Sequence, residues 1–195
     1  LLRGRSLSGG ELRVLLEICA ADPTAAGARD GALVATLYGA GLRRSEAAAL
    51  TLANYDPESG AITIRGGKGR KDRIAYAPSG SQAAIEAWIG RRGSDAGMLF
   101  QPVLKNGKIV PRGMTDQAIL YILRKRQIEA ALSPFTPHDL RRSFVSDLLD
   151  VGADIATVQQ MAGHANVQTT ARYDRRGERA KKKAADLLHV PFRKA

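Results

Sequence analysis

The stretch AITIRGGKGRKDRIAYAP, residues 61–78, interrupts a sequence that is otherwise helical in pattern. Its two β-type runs, Ala61–Arg65 and Arg73–Ala77, flank a turn rich in glycine and lysine, which is the pattern of a β-hairpin. A short run near Leu52–Tyr55 precedes the hairpin and predicts a third strand beside it. This part of the chain is therefore predicted to form a small antiparallel three-stranded β-sheet.

Both flanks of the hairpin carry apolar residues at helical spacing. Ser8 is a suitable cap for the first helix, and Gly39 and Gly41 end the second. The predicted helices cover residues 7–21, 23–41, 43–50, 81–92, 116–132, 138–152, 153–164, 167–174 and 177–190, and the main loop covers 101–113. The chain is thus predicted to be a single domain over residues 1–195, mainly α with one small sheet.

The formal net charge is +11 and the calculated pI is about 10.2. This excess of positive charge favours a polyanionic partner, either nucleic acid or an anionic membrane surface. No apolar run approaches the roughly 18 residues of a membrane span, and no signal peptide is visible. The single cysteine, Cys19, excludes an internal disulfide and a cysteine-based zinc site, and it suits the reducing cytoplasm.

Four stretches concentrate polar functional groups. They are GAGLRRSEAAAL (39–50) with Arg43 and Glu46, GGKGRKDR (66–73) with Lys68, PHDLRRSF (137–144) with His138 and Arg141, and HANVQTTARYDRR (164–176) with His164 and Tyr173. Each alone has an ordinary interpretation as a solvated arginine, a hairpin tip, a surface pair or a packed tyrosine. Together they favour phosphoryl transfer on a nucleic-acid backbone, because positioned cations stabilise the charge that develops on the phosphate oxygens. Arginine suits that role, a tyrosine hydroxyl can be an activated nucleophile, and lysine can be a general acid.

The order Arg, Lys, His-x-x-Arg, His, Tyr in these stretches resembles the tyrosine recombinases, which are site-specific recombinases of the phage-integrase type. The segments GLRRSE, GGKGRKDR, HDLRRSF and AGHANVQTTARYD are similar to the motifs of that family, and the resemblance spans nearly the whole chain. It implies the catalytic-domain fold of the family. Two positions depart from the family's pattern: Arg142 stands where many relatives have histidine, and Ala162 stands where leucine is common.

The resemblance also implies an activity, namely cleavage and rejoining of DNA through a 3′-phosphotyrosyl intermediate, in the integration or excision of a mobile element. No cofactor, metal ion or ATP is implied. The implied roles are phosphate clamping by Arg43 and Arg141, protonation of the leaving 5′ oxygen by Lys68, assistance to proton transfer by His138, a phosphate hydrogen bond from His164, nucleophilic attack by Tyr173, and orientation of Arg43 by Glu46. Further contacts to DNA are expected from Arg44, Arg70, Lys71, Arg142 and Arg175.

The implied partner is double-stranded DNA, with a tetramer on DNA and a monomer in its absence. Full-length members of the family usually carry an additional N-terminal core-binding domain that binds DNA, and nothing in this chain is expected to correspond to it. The basic tail, residues 176–195, is expected to pack on its own domain or on a neighbouring subunit. The Ala-, Gly- and Arg-rich composition favours a bacterial source and a nucleoid-associated function.

Three alternative functions stay open at this point. A type IB topoisomerase uses similar chemistry, although the HDLRRSF and GHANVQTTARYD segments favour a recombinase. A non-enzymatic DNA-binding module is expected to have lost the tyrosine or an arginine, and here both types of residue are present. An RNA-binding or membrane-surface domain is supported by charge alone, since the chain has no aromatic RNA-binding motif.

Overall fold

The computed structural model describes residues 4–66, 72–187, 189 and 191. The helices it contains match the segments predicted to be helical, although α4 and α6 begin two and one residues earlier than predicted and several helices end earlier. They are α1 (Gly9–Ala21), α2 (Ala25–Gly39), α3 (Arg44–Ala49), α4 (Ser79–Arg92), α5 (Asp116–Glu129), α6 (Pro137–Asp150), α7 (Ile155–Ala162), α8 (Val167–Ala171) and α9 (Gly177–Ala185). The hairpin consists of β1 (Ala61–Ile64) and β2 (Arg73–Tyr76), which pair antiparallel.

The predicted third strand is wrong: within the described residues the sheet has two strands. Residues Leu52–Asn54 form a 3₁₀ turn instead. Thr51 donates from its backbone N–H and its hydroxyl to Asn54 Oδ1, over 2.9 and 2.8 Å. Such local bonding from a short polar side chain competes with the hydrogen bonds of a sheet. Only a single bridge, between Tyr55 and Ile62, joins this segment to β1.

Helix α2 lies at the centre of the domain and packs against α1, α3, α4, α5 and α6. The largest fully buried side chain of the core around it is Trp88 on α4. Its indole N–H donates to Leu99 O over 2.8 Å, so its polar atom is satisfied within the core. A second, smaller cluster includes Phe144 on α6 and Val158 on α7, and Tyr173 packs against it. Three of the polar stretches identified in the sequence, those with Arg43, Arg141 and Tyr173, adjoin this smaller cluster.

The turn between α2 and α3 packs closely against α6. Gly41 has a φ of +61°, and a Cβ at this position would lie 2.3 Å from the ring of Phe144. Any other residue would therefore meet both backbone strain and a steric clash. This close approach holds the loop that precedes Arg43 beside the helix that carries Arg141.

Candidate active site

Arg141 lies in the first turns of α6, a helix that begins with Pro137 and at whose start the N–H and the hydroxyl of Thr136 both donate to Asp139 Oδ2 over 2.8 Å. The residue is only 3% exposed. Its guanidinium donates to two backbone carbonyls, Gly41 O and Ala162 O. Burial first, and then the neighbouring charge of Arg43, lower the pKa of Arg141 to about 10. The side chain is therefore a buried cation at neutral pH.

Arg43 is the residue immediately before α3, and Glu46 lies in the first turn of that helix. The backbone N–H of Arg43 donates to Glu46 Oε2 over 2.7 Å, and Arg43 Nη1 donates to Glu46 Oε1 over 2.6 Å. The other terminal nitrogen, Nη2, donates to Gly163 O over 2.8 Å. Each terminal nitrogen of an arginine carries two N–H groups, so bonds to described residues use one on each. Arg43 thus retains N–H groups that make no bond to a described residue, and its role as a phosphate clamp stays a prediction.

The C-terminal end of α7 is where the arginines converge. The helix ends at Gly163, which has the left-handed φ of +61° that favours glycine at this position. Carbonyls at this end of a helix lack intrahelical partners and carry partial negative charge. Three successive carbonyls accept from three guanidinium groups: Met161 O from Arg73 Nε at 3.2 Å, Ala162 O from Arg141 Nη2, and Gly163 O from Arg43 Nη2 at 2.8 Å.

His164 follows this turn directly and is half-buried. Its Nδ1 lies 2.9 Å from Thr170 Oγ1 on α8, and the Thr170 side chain is fully buried. This contact fixes the ring and leaves Nε2 as the nitrogen available to a ligand. Desolvation first, and then the charges of Arg141 and Arg43, lower the pKa of His164 to about 4. The imidazole is therefore neutral at pH 7.

We expect the imidazole resonances of His164 to titrate near pH 4 in an NMR experiment on the chain without DNA. Because the folded pKa lies below the value of 6.5 for an exposed histidine, the unfolded chain binds more protons between these two values. The free energy of unfolding should therefore fall as the pH falls from about 6.5 towards about 4. Arg43→Gln, which removes one of the cations, should raise the pKa of His164. A midpoint near 6.5 in the unaltered chain would show that neither burial nor the arginines lower the pKa of this ring.

Tyr173 lies just beyond α8, and its hydroxyl is 3.4 Å from His138 Nε2 on α6. This separation is long for a hydrogen bond, but such contacts in ligand-free sites often shorten when substrate binds. The centroids of the Tyr173 and His164 rings are 6.2 Å apart, and the Arg142 guanidinium lies 5.3 Å from the centroid of the Tyr173 ring. The tyrosine is therefore held among two histidines and a cation.

Desolvation first, and then the charges of Arg141 and Arg142, lower the pKa of His138 below its usual value of 6.5. The ring is accordingly neutral near pH 7, which is the form that can accept a proton. Of the described groups, His138 is the one that contacts the Tyr173 hydroxyl. Its position and its protonation state both suit a general base.

Two grooves meet at Arg43, which lines both. One, of about 880 Å³, lies between α3, the hairpin and the end of α7, and includes His164 in its wall. The other, of about 460 Å³, lies between α3, α5 and the start of α6, and includes His138 and Arg141. The site is thus an open basic trough that suits an extended ligand.

The structure brings together six of the residues singled out in the sequence: Arg43, Glu46, His138, Arg141, His164 and Tyr173. Lys68, Arg70 and Lys71 lie outside the described residues, so their roles stay predictions. The contacts to DNA that were expected from Arg44, Arg142 and Arg175 also stay predictions. In the structure each of these side chains bonds to another group of the protein. Arg44 pairs with Asp116 at 2.9 Å, Arg142 donates to Gly4 O at 2.6 Å, and Arg175 donates to Ser6 Oγ at 3.3 Å.

Two residues of the site were missed by the sequence interpretation. Arg73 stands inside the stretch GGKGRKDR, but nothing in its spacing distinguished it from the other basic residues there. Thr170 is one of the paired threonines of AGHANVQTTARYD, and only its contact with His164 reveals its role.

None of the helices in the described part of the chain combines the length and apolar character needed to cross a membrane. Among the same residues, no three histidine, cysteine, aspartate or glutamate side chains are grouped so that they could hold a metal ion.

Comparison with known sequences places this geometry in a family. Residues 5–179 match the model of the phage integrase family. Tyrosine recombinase XerA of Pyrococcus furiosus is 34% identical over 186 residues, which are 95% of this chain and 62% of that protein. Tyrosine recombinase XerC of Myxococcus xanthus is 35% identical over 158 residues, covering 77% of this chain and 51% of the relative. The chain thus spans between half and two thirds of the length of these relatives.

Solved structures agree in fold. The crystal structure of XerA recombinase superposes with a TM-score of 0.74 at 26% identity, covering 95% of this chain and 66% of that one. The catalytic domain of bacteriophage HP1 integrase gives a TM-score of 0.65 at 20% identity and covers 95% of this chain and 97% of its own. The expected catalytic-domain fold is therefore confirmed, apart from the count of strands. Sequence match and fold together establish that the chain belongs to the phage integrase family, whose members similar to it are tyrosine recombinases.

Proposed function

We propose that this chain cleaves and rejoins DNA strands in site-specific recombination, with Tyr173 as the nucleophile. The observation that carries the proposal is that Arg43, Arg141, His138 and His164 line two grooves that meet at Arg43, and that the Tyr173 hydroxyl lies 3.4 Å from His138 Nε2. These are the groups that phosphoryl transfer needs, because it depends on positioning and on charge stabilisation.

The scissile phosphate binds between Arg43 and Arg141. Arg43 offers its remaining N–H groups to the non-bridging oxygens, and the buried Arg141 supplies a cation in a medium of low dielectric constant, where charge acts more strongly than in water. His164 donates from Nε2 to the same phosphate, because Nδ1 is occupied by Thr170. Binding of the anion offsets the repulsion among these cations and raises the pKa of both histidines.

In the chemical step the Tyr173 oxygen attacks the phosphorus atom and passes its proton to His138. The new bond is a 3′-phosphotyrosyl ester, and the bond that breaks is the one from phosphorus to the 5′ oxygen. Lys68 protonates that leaving oxygen, which gives a free 5′ hydroxyl. Rejoining is the reverse reaction with the 5′ hydroxyl of another strand. The energy of the phosphodiester is kept in the covalent link, so strand exchange is close to isoenergetic.

We propose duplex DNA as the partner. The net charge of +11 supports this proposal, and so do related structures that were solved with DNA. A XerH site-specific recombinase that covers 97% of this chain, at 24% identity and a TM-score of 0.72, was solved bound to its difH substrate. We propose that four copies of the whole protein assemble on two DNA sites, and that residues 176–195 form part of the contact between subunits.

Covalent trapping tests this function. The chain is incubated with nicked duplexes carrying candidate sites, without ATP or added metal, and denatured in SDS. We expect an adduct on the 3′ side of the break. Two further assays then distinguish the activities. A topoisomerase would relax supercoiled plasmid without exchanging strands, whereas a recombinase would exchange strands between two sites. Binding without any adduct, on every substrate tried, would contradict the proposal and favour a DNA-binding module.

DNA binding should weaken steeply with salt, because phosphate contacts release counterions. With about three neutralised phosphates, affinity should fall roughly 40-fold between about 50 and about 200 mM monovalent salt. Fluorescence anisotropy measures this slope. Arg43→Gln should reduce the slope by about one, whereas Arg91→Gln, in a separate groove beside α4, should leave it unchanged. Affinity that stays flat over this range would exclude the trough as a phosphate-binding surface.

A further inference from the structure

Arg73, the first residue of β2, donates a hydrogen bond from each of its terminal nitrogens to the carboxylate of Glu46. Arg73 Nη1 lies 2.8 Å from Glu46 Oε1, and Arg73 Nη2 lies 2.8 Å from Glu46 Oε2. This is the bidentate arrangement that matches a guanidinium to a carboxylate. The two side chains are 15% and 11% exposed, so the pair is largely withdrawn from solvent.

The Glu46 carboxylate joins Arg73 to Arg43. Each of its oxygens accepts one bond from each arginine, since Oε1 also accepts from Arg43 Nη1 and Oε2 also accepts from the Arg43 backbone N–H. Burial alone would raise the pKa of Glu46, but the hydrogen bonds and charge of Arg73, with those of Arg43, outweigh it and lower the pKa to about 2. Loss of Arg73 would remove half of the hydrogen bonds that hold this carboxylate.

Arg73 is itself anchored to the end of α7. Its Nε donates to Met161 O over 3.2 Å, and a Cβ on Gly163 would lie only 2.8 Å from its side chain. All three guanidinium nitrogens of Arg73 therefore donate within the protein, whereas Arg43 Nε makes no bond to a described residue. This distinction suits Arg43 to an external phosphate and Arg73 to holding other groups in place.

We propose that Arg73 is a positioning residue for the reaction: it holds the Glu46 carboxylate against Arg43 and so sets the Arg43 guanidinium at the phosphate site. The role rests on the proposed function, in which Arg43 binds the scissile phosphate. Because Arg73 also binds the turn that carries Gly163 and His164, it joins the hairpin, α3 and α7 at one point. Displacement of a positioned group by about 1 Å can slow catalysis about 100-fold.

The kinetic test compares Arg73→Gln and Arg73→Lys with the unaltered chain. We expect Arg73→Gln to lower the single-turnover cleavage rate at saturating DNA about 100-fold, with the Kd for the same DNA changed less than about threefold. Arg73→Lys keeps the charge and can hold one oxygen of Glu46, so it should recover part of the rate. Arg91→Gln, which removes an exposed cation of α4 in a separate groove, should leave the cleavage rate within about twofold.

A double-mutant cycle identifies the route of the effect. If Arg73 acts through Glu46, Arg73→Gln should cost little further rate in a chain that already carries Glu46→Gln. Additive losses would show that Arg73 does not act through Glu46, and a salt slope of binding lowered by about one would show that Arg73 contacts DNA directly. Either result would overturn the proposal. An unchanged cleavage rate in a folded Arg73→Gln chain would overturn it as well.

An NMR measurement without DNA separates this proposal from the proposed function. In Arg73→Gln the Glu46 carboxyl should titrate well above its pKa of about 2, and the side-chain N–H signals of Arg43 should shift. Melting temperature reports folding, and Arg73→Lys replaces Arg73→Gln if the latter unfolds. Unmoved Arg43 signals would overturn the positioning role. Failure of the unaltered chain to form an adduct would instead refute the proposed function while this coupling remained measurable.

Discussion

Tyr173→Phe is expected to abolish the covalent adduct with nicked DNA and to lower single-turnover cleavage by about four orders of magnitude or more, which is the scale on which loss of a nucleophile acts. The phenylalanine ring keeps the packing against the cluster of Phe144 and Val158, and it keeps a face for the Arg142 cation. What is lost is the oxygen that lies 3.4 Å from His138 Nε2. Folding and DNA affinity should therefore be nearly unchanged.

The matched control is Tyr121→Phe, which removes the same hydroxyl from a tyrosine on α5 that is 61% exposed. It should form adduct at the rate of the unaltered chain. SDS gels with labelled DNA measure both variants, and anisotropy confirms that both bind. Adduct formation by Tyr173→Phe would mean that another residue is the nucleophile, and the mechanism proposed for this site would then be wrong.

Arg126→Ala is expected to lower the free energy of unfolding by about 3–5 kcal/mol, because removal of one member of a buried ion pair leaves the others charged and unmatched. Arg126 is 3% exposed and donates to three carboxylates. The acceptors are Asp30 at 2.8 Å, Asp22 at 2.6 Å and Glu129 at 2.9 Å. Among the described side chains, Asp30, itself 1% exposed, would keep only Arg29 as a partner. In a domain of this size the loss corresponds to a fall in Tm of roughly 10 °C.

Lys125→Ala is the control on the neighbouring position. Lys125 Nζ lies 3.6 Å from the same Glu129 carboxylate, but the pair is exposed on the surface of α5. Such pairs contribute at most about 1 kcal/mol, so its Tm should change little. Chemical unfolding of both variants measures the difference. Equal effects would show that burial does not determine the strength of this network.

The helices could be predicted because their signals are local. Apolar residues at a spacing of 3.6, Ser8 before α1 and the Thr136–Asp139 pair around the start of α6 all act within one or two turns. The hairpin followed in the same way from its glycine-rich turn. The prediction of a third strand was wrong. Its cause is also local, but the signal in the sequence is weaker: the Asn54 side chain closes a 3₁₀ turn in a run that otherwise resembles a strand.

The sequence by itself determined the order of the arginine, lysine, histidine and tyrosine motifs, and the family that they resemble. Only the tertiary structure decided how the arginines are held. Arg43, Arg141 and Arg73 reach successive carbonyls at the end of α7 from positions 120, 21 and 88 residues away. Periodicity and capping describe contacts a few residues apart. A hydrogen bond across such separations depends on how helices pack. The sequence therefore could not distinguish Arg73 from the other basic residues of its motif, and only the tertiary structure shows that it contacts Glu46.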